Sequence, residues 1–280
     1  KINWFAIFGH FVSAVTMMGL IWDRDPVIIP YTETYLTWRN VSSSQDCPIG
    51  SRTFDTSNGK FCIQSTTQPV YCNDENECYG LNLGFLIICF HILSFFFQLG
   101  AALTDVIGPI AGYEYSVMIS ENKNPLRFIE YGFSASIMLI SIALLNGVTD
   151  INLITSIAVL TSSCQLCGLA VEYVDSLRVK WLLHLTGWLQ FVWSYAIIGH
   201  AFIKSVEDAR ENGGTGPPDF VFGIVVSLFL LYSSFGFVQL VELCVVVNPY
   251  KKEIAYVTLS LTAKLLLGWM IFSNVLVLSR

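Results

Sequence analysis

Lys264 stands near the middle of an apolar segment covering roughly residues 256–278, with no other charge close by. A lysine at the centre of a membrane helix costs about 2.5–3.5 kcal/mol on insertion scales. Such a residue persists when it is paired or chemically used. Lysine's titratable amine is the side chain suited to a covalent imine with a carbonyl ligand. An earlier apolar segment carries a single central acid, Glu130. A protonated imine in a low dielectric needs an anion beside it, and Glu130 is the candidate. Residue types alone leave two readings open: a ligand-bearing lysine with its charge partner, or a structural ion pair.

Polar residues recur at helical spacing around these two. Ser134 lies one turn after Glu130 and Ser260 one turn before Lys264, each on the same helix face as its charged neighbour. His10 and His91 sit mid-segment in the first two apolar stretches, where two imidazoles could form a polar cavity that accepts a proton. Glu172 and Glu242 fall near the ends of the fourth and sixth stretches. They either face headgroups or, if turned inward, extend a proton path from Lys264 toward the cytoplasm. Trp188, Phe191, Trp193, Tyr232, Phe235 and Phe237 could line a flat apolar slot suited to a conjugated polyene, although aromatics at such spacing also serve as packing. No pair of histidines has metal-ligand spacing with a carboxylate or thiolate nearby, so no metal is expected.

The elements that must position these groups are membrane helices. The chain has 280 residues, 54% of them hydrophobic and only 13% charged. Soluble domains carry about 25% charged residues. A net charge of −6 without a basic stripe argues against nucleic acid as a partner. A bilayer core takes about 20 apolar helical residues. Seven stretches qualify, near 3–22, 83–104, 126–147, 151–173, 180–203, 219–244 and 254–278. The first is too long and aromatic for a cleaved leader. Short connections force antiparallel neighbours, so residues 1–280 are expected to form a single all-α seven-helix membrane domain.

Lys1, Lys123 with Arg127, Arg178 with Lys180, and Lys251 with Lys252 all fall on one side. The positive-inside rule puts that side, and the N-terminus, in the cytoplasm, with the C-terminus outside. The long loop 24–82 then faces out. It carries Cys47, Cys62, Cys72 and Cys78, four of the eight cysteines, which suggests two disulfides in an oxidising compartment without showing their pairing. The sequon Asn40-Val41-Ser42 also lies there. Ser57-Asn58-Gly59 between Arg52-Thr-Phe-Asp-Thr and Lys60-Phe-Cys-Ile-Gln predicts a β-hairpin in this outer loop. Cys164-Gln-Leu-Cys167 has redox spacing, but within a membrane helix two packed thiols are the expectation.

At its charged residues the chain resembles the heliorhodopsins, a family of retinal proteins distant from other microbial rhodopsins. Asn124-Pro-Leu-Arg-Phe-Ile-Glu130-Tyr-Gly-Phe-Ser-Ala-Ser136-Ile-Met is similar to the family's third-helix motif, and Ser260-Leu-Thr-Ala-Lys264-Leu-Leu-Leu-Gly-Trp269 to its seventh-helix motif. The resemblance implies a seven-helix rhodopsin-like bundle. It implies all-trans-retinal held on Lys264 as a protonated Schiff base, with Glu130 as counterion. Ser260 and Ser141 occupy places where ion-pumping rhodopsins keep acids, so an ordinary outward proton pump is not implied. His10 and His91 match the family's histidines near the Schiff base, and Glu172 a glutamate toward the cytoplasm. A homodimer and a hairpin in the first outer loop are family traits, and the cysteine-rich enlargement of that loop looks particular to this chain.

Two functions follow from the resemblance. One is a light-gated proton conductor using His10, His91, Glu130, Glu172 and Glu242; the additional Glu242 inclines the reading this way. The other is a light sensor that signals through a partner without ion transport. A G-protein-coupled receptor is disfavoured, because Asn248-Pro-Tyr250 precedes the seventh segment and the N-terminus falls on the wrong side. An enzyme is not expected, since no Gly-x-Ser-x-Gly element or zinc motif is present.

Overall fold

In the computed structural model, residues 2–22, 24–41, 47, 52–56, 59–70, 79–110, 112, 114–212 and 217–277 are described. The helices are α1 (Ile2–Ile21), α2 (Leu83–Ile107), α3 (Tyr115–Ser120), α4 (Pro125–Leu145), α5 (Ile151–Tyr173), α6 (Leu177–Asn212), α7 (Asp219–Cys244) and α8 (Pro249–Ile271). A π-helical turn, Phe272–Val277, continues α8. Apart from the six-residue α3, the helices run alternately up and down, as short connections require. Their starts are marked in the sequence. Asn82, Asn124, Asp150 and Asn248 each turn a side-chain oxygen onto a first-turn backbone N–H. Pro125 and Pro249 follow directly, where a missing N–H costs nothing.

Among the described residues, six of these helices are long and apolar enough to cross a membrane, and the protein is an integral membrane protein. The exception is α6. Trp181, His184, Trp188 and Gln190 lower its hydropathy, yet it packs between α5 and α7 like its neighbours. At a rise of 1.5 Å per residue its 36 residues span about 54 Å, well beyond a 30 Å hydrocarbon core.

The two ends of the bundle differ. Among the described residues, one end carries all the strands. Strands β1 (Ile28–Pro30) and β5 (Gly80–Asn82) pair antiparallel. Strands β2 (Thr32–Val41), β3 (Arg52–Thr56) and β4 (Gly59–Pro69) form a sheet in the order β2-β4-β3. The expected hairpin is β3–β4, with Thr56 opposite Gly59; its turn residues 57 and 58 lie outside the described residues. The longer β2–β4 pairing had no turn signal in the sequence, because its partners are not joined by a tight turn and β3 lies in the chain between them. A disulfide joins Cys47 to Cys62 of β4, with Cα atoms 5.7 Å apart. Cys72 and Cys78 lie outside the described residues, as does Ser42 of the sequon.

The sheet is fastened to the turn between α4 and α5. Thr32 N–H donates to the Thr149 carbonyl, and Thr34 N–H to Asp150 Oδ2, each at 2.9 Å. Asp150 Oδ1 caps α5 by accepting from Asn152 and Leu153 N–H. Partial burial opposes its ionisation, but the N–H donors of Leu153, Asn152 and Thr34 hold the Asp150 carboxyl below the usual carboxylate range. The hydrophobic core is concentrated toward this end, through Phe90, Leu139, Ile142, Ile198, Leu228 and Leu267. At the opposite end charged side chains, Arg127, Glu172, Lys252 and Glu253, are buried among the apolar ones.

Candidate functional site

Lys264, from the middle of α8, is 2% exposed, and so is Glu130, one and a half turns into α4. Lys264 Nζ donates to Glu130 Oε1 at 2.6 Å and to Ser260 Oγ, one turn back on its own helix, at 2.9 Å. It also lies 5.2 Å from the centre of the Tyr131 ring. Gln98 of α2 reaches the other Glu130 oxygen at 3.5 Å. Two buried charges are tolerable only in such an arrangement, where each meets its opposite and further polar groups complete the shell.

A slot opens from Lys264 between α4, α5, α6, α7 and α8. The space within it that a water-sized sphere can occupy is ≈ 90 Å³, against roughly 10–15 Å³ for one water. Trp188, Phe191, Tyr232 and Phe235, four of the six expected aromatics, line it. Trp193 and Phe237 do not; they are 59% and 54% exposed, and Phe237 packs its ring on the Trp188 ring at 5.4 Å without reaching the slot. Neither changes the helix period. Each simply falls on the wrong side of its helix, which spacing without a known neighbour could not decide. Sequence reasoning gave His184 little weight because it lies nearer a segment end, and passed over Gln239; both line the slot. His184 Nε2 accepts from Trp188 Nε1 at 2.9 Å, its Nδ1 lies 3.1 Å from Gln239 Oε1, and Gln239 Nε2 donates to the Gly168 carbonyl at 3.1 Å. The chain of donors makes Nδ1 the protonated nitrogen and fixes the Trp188 ring. That ring lies so close to Gly236 that an added Cβ would sit 2.6 Å from it.

On the sheet side of Lys264, His10 Nδ1 and His91 Nδ1 are 3.1 Å apart, both buried. One must donate and the other accept. His91 Nε2 has no hydrogen-bond partner among the described residues and packs against Gly268, one turn beyond Lys264.

The profile of the heliorhodopsin family matches residues 53–276, most of the chain and all the helices just described except α1. The chain belongs to the heliorhodopsin family. No curated protein matches it. The family is one of retinal-binding, light-sensing membrane proteins, and a polyene aldehyde needs a narrow apolar slot with an amine at one end and a counter-charge beside it. The heliorhodopsin slot has these parts. Its buried Ser134 Oγ, lacking a partner among the described residues, adds a polar atom along the wall.

The opposite end of this heliorhodopsin holds what sequence reasoning missed. Glu172 and Glu242, expected at headgroups or along an open path, belong to a closed ion-pair cluster with Arg127, Lys252 and Glu253. Arg127 bridges Glu172 and Glu253, and its guanidinium lies 4.2 Å from the Tyr256 ring centre. Lys252 Nζ bridges Glu172 at 2.8 Å and both oxygens of Glu242 at 3.1 and 3.2 Å. Arg127 and Lys252 had served as loop charges in assigning orientation, yet both are 4% exposed. The other side chains of that group placed in the structure, Lys123, Arg178, Lys180 and Lys251, lie at the same end. The missed signal was charge at the first turn of two helices directly behind Asn-Pro, which reads equally well as a headgroup contact.

Proposed function

We propose that this heliorhodopsin absorbs light through retinal held on Lys264 as a protonated Schiff base, with Glu130 as counterion, and that light opens a proton conductance through the bundle. The observation that carries the reading is the Lys264 amine, buried at the end of an aromatic slot and 2.6 Å from Glu130 Oε1. Bound there, retinal supplies visible absorption and a light-driven double-bond isomerisation. The surrounding residues do the rest. Glu130 balances the charge on the Lys264 nitrogen and is placed to take its proton. Ser260 completes the hydrogen bonding of that nitrogen. Trp188, Phe191, Tyr232 and Phe235 exclude water from the slot, and the His184–Gln239 chain keeps the Trp188 ring in place. His10 and His91 offer a second proton-accepting pair on the sheet side. The sheet end faces outside in this reading, as the remaining basic side chains favour.

A second reading, a sensor without transport, draws support from the opposite end, where every carboxylate of the cluster is already engaged by a cation. Two measurements test these readings, the first for the retinal both require and the second to separate them. The protein expressed with all-trans-retinal should show a visible band that Lys264→Ala lacks; a parent without a band ends the retinal reading. Voltage clamp in the light should then give a current that reverses with the proton gradient, and silence at every voltage leaves the sensor.

A further inference from the structure

The cluster at the opposite end is unbalanced. Glu172, Glu242 and Glu253 face two cations, Arg127 and Lys252, which leaves one excess negative charge when all five are ionised. The cations are unevenly shared. Glu172 meets both, and its Oε2 also accepts from Asn124 N–H at 2.8 Å. Glu242 has the Lys252 ammonium on both oxygens and the Asn122 amide besides. Glu253 meets Arg127 alone, through Oε2. Its Oε1 is held by neutral donors, Asn124 Nδ2 and the Tyr115 hydroxyl, each at 2.9 Å.

Glu253 is also the one carboxylate of the three that lines a second, smaller cavity, and Glu130 lines the same cavity. Gln98, Tyr115, Asn124, Arg127 and Tyr131 complete its polar wall. Its space of ≈ 10 Å³ is about that of a single water. Arg127 Nε, buried, has no hydrogen-bond partner among the described residues. Tyr115 can switch, because its hydroxyl lies 3.5 Å from Asn3 Oδ1 as well as 2.9 Å from Glu253.

We propose that Glu253 is the proton partner of Glu130, taking the proton that Glu130 gives up, while Lys252 holds Glu172 and Glu242 as fixed anions. This rests on the assignment of Lys264 and Glu130 above. A proton leaves a Glu130 oxygen, crosses the cavity through one water, and bonds to Glu253 Oε1. Glu130 is again a carboxylate beside the Lys264 nitrogen, and the cluster passes from one net negative charge to none. The Tyr115 O–H turns to Asn3 Oδ1, and its oxygen accepts from the new Glu253 O–H. The negative charge moves from the cluster to Glu130, so the transfer is favoured when the Lys264 nitrogen beside Glu130 carries a proton again and pairs with it. The groups that face Glu253 are Arg127 and Asn124 at the start of α4 and Tyr115 of α3, with Asn3 of α1 behind Tyr115. The path bypasses Glu172 and Glu242, and it serves a conductor or a sensor alike.

Infrared difference spectra test it. In the retinal-bound parent, illumination should produce a carbonyl band of a protonated, buried carboxylic acid that shifts in heavy water. Glu253→Gln should lose the band, while Glu242→Gln and Glu172→Gln keep it. A band that survives Glu253→Gln, vanishes in Glu242→Gln, or never forms in the parent overturns the proposal. A second measurement needs neither light nor retinal. Acidifying the protein in the dark should raise a buried carboxylic-acid band that Glu253→Gln lacks, and its persistence in that variant refutes the assignment even where no visible band forms. Glutamine matches the neutral acid in shape, so the variant retains the hydrogen bonds of Oε1. Loss of the visible band, by contrast, bears on the Lys264 reading alone.

Discussion

The molecule buries charge twice, and in opposite styles. Lys264 and Glu130 form a single pair, with Ser260 and Gln98 as the further hydrogen-bond partners of its charged atoms. At the opposite end Arg127, Lys252, Glu172, Glu242 and Glu253 share one another across α4, α5, α7 and α8, and Asn122, Asn124 and Tyr115 fill the gaps. A pair has no redundancy: remove one member and the other is left as an uncompensated buried charge. A cluster can redistribute. The difference suits two tasks. The pair can be controlled by one event at one nitrogen, whereas the cluster holds helix ends together and tolerates a change of one charge.

Stability measurements break or sharpen that contrast. Lys264→Met, measured without chromophore, strands Glu130 and should cost about 3–5 kcal/mol, read as a lowered thermal unfolding midpoint. Arg127→Met leaves Glu172 with Lys252 and Glu253 with two neutral donors, so its cost should be smaller, about 1.5–3 kcal/mol. Lys252→Met should cost less again, because Glu172 keeps Arg127 and the Glu242 side chain is 15% exposed and can reach water. If Arg127→Met proves more damaging than Lys264→Met, the cluster is no more redundant than the pair.

The smallest expected effect lies at the sheet end, where charge is solvated. Asp150→Asn removes one ionised cap, worth about 1 kcal/mol. Because the folded Asp150 carboxyl is held below its ordinary value of 3.8, the stability it contributes is fully present above that pH and is lost as pH falls through the lower, folded value. The gap in unfolding midpoint between parent and variant should therefore be constant from neutral pH down to 3.8 and close below it. A gap that closed near neutral pH would place the ionisation elsewhere.

Much of the site was legible before the fold was known. A lone lysine and a lone acid in apolar helices announce themselves, because the bilayer makes unpaired charge expensive wherever it falls. The helical repeat placed Ser134 and Ser260 on the right faces, and Asn-Gly between two alternating runs placed the β3–β4 hairpin. Charges near helix ends were illegible for the complementary reason. Arg127, Glu172, Glu242 and Lys252 lie within reach of the headgroups, where either exposure or burial is affordable, and composition does not choose.

By itself, the sequence determined the long helices, the caps of four of them, the Lys264–Glu130 pairing and the family motifs that carry it. These rest on local spacing and on the cost of charge in lipid, both properties of a segment alone. The tertiary structure decided which aromatics face the slot, that Trp193 and Phe237 stay outside it, that His184 pins Trp188, and that Glu253 shares a cavity with Glu130. Each depends on how far one helix is rotated against another, and a rotation is fixed by the packing of all the neighbours at once.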